Sequence, residues 1–132
     1  MKVRDGYPYK KWKTGVVREV RIATEALNWL TTNPTAVRKR TAILRILDRI
    51  ADIEHLKNTE HFVNERGTKI WAVKAHKIRL YGWYAEGLKN VRVFAASHYA
   101  KKTQDSANQN DLDKAEQHRR EYVHEPCHDA EQ

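Results

Sequence analysis

Ile70-Trp71-Ala72-Val73-Lys74-Ala75-His76-Lys77-Ile78-Arg79-Leu80-Tyr81-Gly82-Trp83 is the stretch whose reading decides the fold. Two short runs rich in β-branched and aromatic residues flank His76 and Lys77, so a hairpin with a two-residue turn is expected. In that register Ala75 pairs with Ile78, Lys74 with Arg79, Val73 with Leu80 and Ala72 with Tyr81. Strand side chains alternate in direction. One face therefore gathers Trp71, Val73, Ala75, Ile78, Leu80 and Gly82, and the other Ile70, Ala72, Lys74, Arg79, Tyr81 and Trp83. Two cations directly opposite each other repel. Either an anion such as a phosphate lies between Lys74 and Arg79, or both splay into water. His-Lys is not a favoured turn pair, so other registers stay open.

A third strand over residues 91–99 extends the meander. With Val91, Val93 and Ala95 toward the core, Arg92, Phe94, Ala96 and His98 join the cationic face. A slip of one residue would exchange the two sets. Upstream, the β-branched residues of 16–22 predict a first strand, and Thr24 could cap a short helix over 25–30. Asn33-Pro34-Thr35 ends that helix and starts another, with Thr35 a possible cap. The second helix, over 36–53, repeats Ala36, Ile43, Leu47 and Ile50 at helical spacing. Arg38, Arg45 and Arg49 occupy its other side, on a solvated face or as contacts to RNA or a protein partner. Residues 54–69 read as polar and irregular, closing in the turn signal Arg66-Gly67-Thr68. A weak helix over 111–122 has only Leu112 and Ala115 as core positions. The fold class expected is α+β, with a strand, a two-helix hairpin covering one face of a three-strand antiparallel meander, and a short final helix.

The chain has 132 residues and a formal charge of +8, which suits one domain attracted to polyanions. Residues 1–15 carry five basic side chains against one acid and are expected to be a basic flexible arm. A domain over 16–122 and an acidic flexible tail over 123–132 follow. No apolar run approaches the roughly 18–20 residues of a membrane span, and the basic N-terminus lacks a secretory apolar segment. A cytoplasmic protein without a membrane role is therefore expected. Cys127, the single cysteine, excludes an internal disulfide. Beside Pro126 and His128 it makes a poor metal site. His55 and His61 stand six apart with Glu54 and Glu60 beside them, a spacing taken as coincidence. Neither a phosphate loop, a dinucleotide fingerprint, a zinc spacing nor a serine-hydrolase elbow is present, and no cofactor or metal is expected.

Ile70-Trp71-Ala72-Val73-Lys74, Ile78-Arg79-Leu80-Tyr81 and Phe94-Ala95-Ala96-Ser97-His98-Tyr99-Ala100-Lys101-Lys102-Thr103-Gln104 together resemble the phage-derived Gp49-like, HigB-type branch of the RelE/ParE toxin superfamily. Ala115, Arg119 and Tyr122 echo the helix that follows the Lys-Lys-Thr-Gln motif there. The likeness spans residues 16–122 and is most specific at Tyr99-Ala100-Lys101-Lys102-Thr103-Gln104. The chain departs from the branch at Ser97, where relatives carry histidine, and at Asp105-Ser106-Ala107, where they carry Lys-Thr-Pro.

The resemblance implies a RelE-like fold and a metal-independent, ribosome-dependent endoribonuclease that cuts mRNA and is restrained by an antitoxin, expected to be of helix-turn-helix type. Lys74, Arg79, His98 and Tyr99 are then the catalytic candidates. Tyr81, Arg92, Lys101 and Lys102 are the RNA-binding candidates. Two further functions remain open on the same fold: a ParE-type toxin that poisons gyrase, and a non-catalytic phage or mobile-element module that binds nucleic acid or protein.

Overall fold

A computed structural model describes residues 8–57, 61–75, 77–86, 91–101, 109–123 and 128–129. In chain order the elements are β1 (Tyr9–Thr14), β2 (Glu19–Ala23), α1 (Thr24–Thr32), α2 (Pro34–Asp52), β3 (Phe62–Asn64), β4 (Trp71–Ala75), β5 (Ile78–Glu86), β6 (Arg92–Lys101), α3 (Gln109–Glu121) and β7 (His128–Asp129). The fold is α+β. One mixed sheet runs β3-β4-β5-β6-β2-β1-β7, with β2 parallel to β6 and the β4-β5-β6 meander antiparallel. The sheet is larger than the meander plus one strand expected from sequence.

The hairpin pairs in the expected register, Lys74 opposite Arg79 and Ala75 opposite Ile78. Val73, Ala75, Ile78 and Leu80 join Ile43, Leu47 and Ile50 of α2 in the larger core, with Leu30 from α1. These apolar groups recur at helical spacing on α2 and at alternate positions on the strands, so both stripes close on each other.

The parity of β6 differs from expectation. Register shifts between Tyr81 and Gly82: Tyr81 lies opposite His98 but Gly82 opposite Ala96, so Ser97 is an extra residue. Such a bulge reverses alternation along its strand. Phe94 and Ala96 therefore face the helical hairpin, while Val93 and Ala95 share the side of Ala72, Tyr81 and Trp83. Beyond the bulge His98 returns to that second side. Gly82 serves the close approach: a Cβ there would stand 2.6 Å from the Ala95 carbonyl oxygen and 2.7 Å from the Phe94 ring.

The second side of the sheet is not open. α3 lies over it, and Leu112 and Ala115 pack with Ala72, Tyr81, Trp83 and Ala95. Two apolar residues suffice because Tyr9 and Tyr122 fill the rest, in edge contact with each other at 5.0 Å and with Trp83.

Residues 9–14, expected in a flexible arm, form a strand. Trp12 packs against the main core and its indole N–H donates to Asp48 at 3.1 Å. The register shifts at Trp12, so Trp12 and Lys13 both reach Asp48 of α2 and no simple alternation marks the strand. The expected acidic tail likewise supplies β7, which pairs with β1. The strand expected over 16–22 is β2, and it begins at Glu19 because Val17 and Arg18 donate their backbone N–H to the Ala51 carbonyl at the end of α2. Arg18 is buried there. Its guanidinium donates to the carbonyls of Ile50, Ile53 and Glu54, groups a helix C-terminus leaves unpaired.

Both capping expectations need correction. Ala23 precedes α1 without a side-chain cap, so Thr24 is the first helical residue. Asn33, not Thr35, caps α2: its Oδ1 accepts the Ala36 N–H at 3.1 Å, which leaves Pro34 at the first position, where no N–H is needed.

Gly82→Ala is expected to lower stability by about 1–3 kcal/mol through overpacking, read as a reduced urea midpoint. An unchanged midpoint would mean the bulge tolerates a side chain.

Candidate functional site

Cross-strand pairing assembles a row of polar groups on the α3 side of the meander. Lys74 stands opposite Arg79, and Tyr81 opposite His98. Lys74 is half-buried, whereas Arg79 is 5% exposed. The like-charge conflict expected between them is met by a protein carboxylate: Arg79 Nη1 lies 3.8 Å from Glu65 Oε2, and both side chains are nearly buried. Glu65 reaches this position from the turn before β4, where its N–H donates to the Ile70 carbonyl and its own carbonyl accepts the Thr68 N–H. Arg66 and Gly67 take positive φ, which tightens that turn. Sequence reading treated the turn only as punctuation.

Tyr81 is fully buried and stacks on the His98 imidazole at 5.7 Å and 17°. Burial pushes its phenol up to about 12, against the opposing pull of the Arg79 guanidinium. His98 Nε2 lies 2.9 Å from Asp111 Oδ1 on the first turn of α3. With the N–H on Nε2 donating to that carboxylate, Nδ1 is the nitrogen left to accept a proton. The bulged Ser97 hydroxyl meets His118 Nδ1 at 2.8 Å, and the His118 ring stands edge-on to His98 at 6.0 Å. Burial first, then His98 and Lys114, lowers the His118 pKa below its ordinary value, while Glu121 and Glu25 oppose this. Glu65, Asp111 and His118 were missed in the sequence because each acts across a tertiary contact, with no local spacing to reveal it.

Of the eight candidates, Lys74, Arg79, Tyr81 and His98 come together. Tyr99 does not. It points to the opposite side, stacks on Trp29 at 4.4 Å, and is raised in pKa by burial and by Glu25. Arg92 also departs: it begins β6 at the far end of the sheet, and the parity change turns it to the hairpin side, where it pairs with Glu54 at 2.8 Å. Lys101 is exposed at the end of β6, opposite Ile78. Lys102 lies outside the described residues, as do His76, Cys127 and residues 103–107.

Arg21 is buried as well, donating to Glu19 and to the Tyr122 hydroxyl. Arg18, Arg21 and Arg79 are thus committed to internal partners, and the basic surface is shared between lysines and the exposed Arg38, Arg45, Arg49, Arg66 and Arg120. Among the described residues no group of three or more His, Cys, Asp or Glu side chains is placed to hold a metal ion, and no helix is long and apolar enough to cross a membrane. Comparisons with family models, curated proteins and solved structures return no significant match.

Two outcomes follow from these contacts. Arg79→Ala strands the Glu65 carboxylate and is expected to destabilise by about 3 kcal/mol or more. Lys74→Ala should change stability by under about 0.5 kcal/mol, and chemical denaturation of the two variants separates them. Equal stability in the two variants would overturn the role given to the Arg79–Glu65 pair. For His118, the unfolded ring binds its proton near the ordinary value and the folded ring only below it. Stability is therefore whole above the ordinary histidine pKa and falls as pH drops through the folded value. The loss of urea midpoint between neutral and mildly acidic pH should be smaller in His118→Asn than in the parent. Equal losses would remove His118 as the cause.

Proposed function

We propose that this chain is an mRNA-cleaving toxin of RelE type from a toxin–antitoxin pair, acting without a metal and on ribosome-bound message. The observation that carries this reading is the turn end of the β4-β5-β6 meander. There Lys74 stands opposite Arg79, two strands from His98, which Asp111 holds, while Lys77 and Lys101 are exposed at the same end. The order of elements supports a RelE-like arrangement: a helical hairpin follows a strand that lies parallel to the last strand of the meander.

Cleavage on this reading begins with attack of a ribose 2′-hydroxyl on the adjacent phosphorus. His98 Nδ1 takes the hydroxyl proton, and Asp111 steadies the imidazolium that forms. The Lys74 ammonium stabilises the added negative charge of the phosphorane, a contribution that can be the largest in such sites. The bond to the 5′-oxygen then breaks, the leaving oxygen takes a proton from solvent water, and a 2′,3′-cyclic phosphate remains. Arg79 acts as a positioning residue, because Glu65 and Tyr81 hold it beneath the surface. Tyr99, on the other side of the sheet, has no part in these steps.

The cover that α3 gives to Tyr81 and His98 favours a second reading, a toxin of the same fold that acts by binding gyrase without cutting RNA. Purified protein added to a translation reaction separates the two. The proposed activity yields message cut only when it is being translated. Lys74→Ala should reduce the cleavage rate by at least about a hundredfold, the scale of losing one preorganised charge contact. Intact message together with arrested supercoiling by gyrase would establish the second reading instead.

A further inference from the structure

Arg92 and its surroundings form a cleft that the site above does not use. At the far end of the sheet, on the side of the helical hairpin, Trp71, Tyr84, Arg92, Arg18, His55 and Glu54 line an open hollow of about 480 Å³. That volume lies within the roughly 300–1,000 Å³ of small-molecule pockets. Tyr84 is 38% exposed, an unusual state for a tyrosine standing between two other aromatic rings. Its ring edge meets Trp71 at 5.7 Å and Phe94 at 5.2 Å, which fixes its orientation. Trp71 is fixed in turn by stacking on Phe62 at 4.7 Å. The Arg18 guanidinium lies over the Tyr84 ring at 4.9 Å and is held by the end of α2.

The cleft thus has rigid aromatic walls prepared in advance. Its cations differ in availability. Arg18 is spent on carbonyls. Arg92 is 41% exposed at the side chain and pairs with Glu54, itself 51% exposed, so water competes for that pair. The pair is two-pointed, with Nη1 to Oε2 at 2.9 Å and Nη2 to Oε1 at 2.8 Å, so an incoming phosphate takes Arg92 by displacing the Glu54 carboxylate. A flat π-face beside an arginine is the combination that binds an unpaired base and its phosphate. An apolar protein side chain would use the aromatic walls but not the Arg92 charge beside them, so the combination favours a nucleotide.

We propose that this cleft is a second, single-stranded RNA subsite, in which one base packs on Tyr84 and Trp71 while Arg92 takes the adjoining phosphate. It deepens the RNA-directed reading above by extending the track to the opposite side of the sheet. Because it concerns binding alone, it stands or falls separately from cleavage.

The test titrates the full chain with tetra-adenylate RNA and with adenosine 5′-monophosphate, following amide and indole resonances by NMR. Shifts are expected at Tyr84, Trp71, His55 and Arg92. Tyr84→Ala and Arg92→Gln should each weaken tetra-adenylate binding about tenfold, with Tyr84→Phe close to the parent. Lys74→Ala should leave these shifts in place even where cleavage is lost. Shifts confined to the Lys74 end of the meander, or equal affinity in all variants, would overturn the subsite. So would a cleft that ignores both probes and responds only to a protein partner.

Discussion

One additional residue in β6 governs which side chains share a surface. Ser97 has no opposite number on β5, and everything before it is turned over relative to everything after it. Phe94 and Ala96 can therefore fill the space beneath the hairpin while His98, only two residues beyond Ala96, lies on the other side with Tyr81. In an unbroken ladder those three residues would share one direction. Gly82 is the counterpart on the neighbouring strand, since only a residue lacking Cβ fits against the displaced backbone and the Phe94 ring. The irregularity is thus a fixed part of the packing, and it marks where the hydrophobic half of the sheet gives way to the polar half.

The electrostatic organisation follows from that division. A charge of +8 would suggest a broadly cationic surface, yet the arginines nearest the sheet are largely internal. Each has an assigned acceptor: helix-end carbonyls for Arg18, Glu19 and Tyr122 for Arg21, Glu65 for Arg79. Guanidinium suits such positions because its planar donors can serve several acceptors at once. Lysines face outward together with the arginines of the α2 surface, Arg38, Arg45 and Arg49. A buried ion pair such as Arg79 with Glu65 adds little net stability over apolar packing, but removal of either partner is strongly unfavourable. It therefore specifies geometry more than it strengthens the fold.

The hairpin register, α2 and the split of β4 and β5 between two faces were readable from alternation and helical spacing alone. The reading stopped where structure depends on an insertion or a distant partner. Nothing in Phe94-Ala95-Ala96-Ser97-His98 announces a bulge, so the parity of Arg92 to Ala96 came out reversed while His98 was placed correctly. Tyr99 was assigned to the site from family likeness, and its neighbour Trp29 shows why adjacency in a motif is no guide to direction. Lys10, Lys11 and Lys13 disguised an ordered strand as a loose arm, because one anchoring tryptophan among lysines gives a weak pattern. The shallow apolar content of α3 hid its role as a cover, which large aromatic rings from elsewhere complete.

The pairing of β2 with β6 joins residues 19–22 to residues 93–96. Forming that seam means closing a loop of most of the chain, and such long closures slow the search for the native topology. The β4-β5 hairpin, by contrast, needs only its own neighbours. The two halves of the polar row differ in what they need: Lys74 and Arg79 belong to one local hairpin, whereas Tyr81 meets His98 across the last meander strand. During synthesis, Asp111 reaches its histidine later still. The constellation is therefore incomplete until residue 111 has been made.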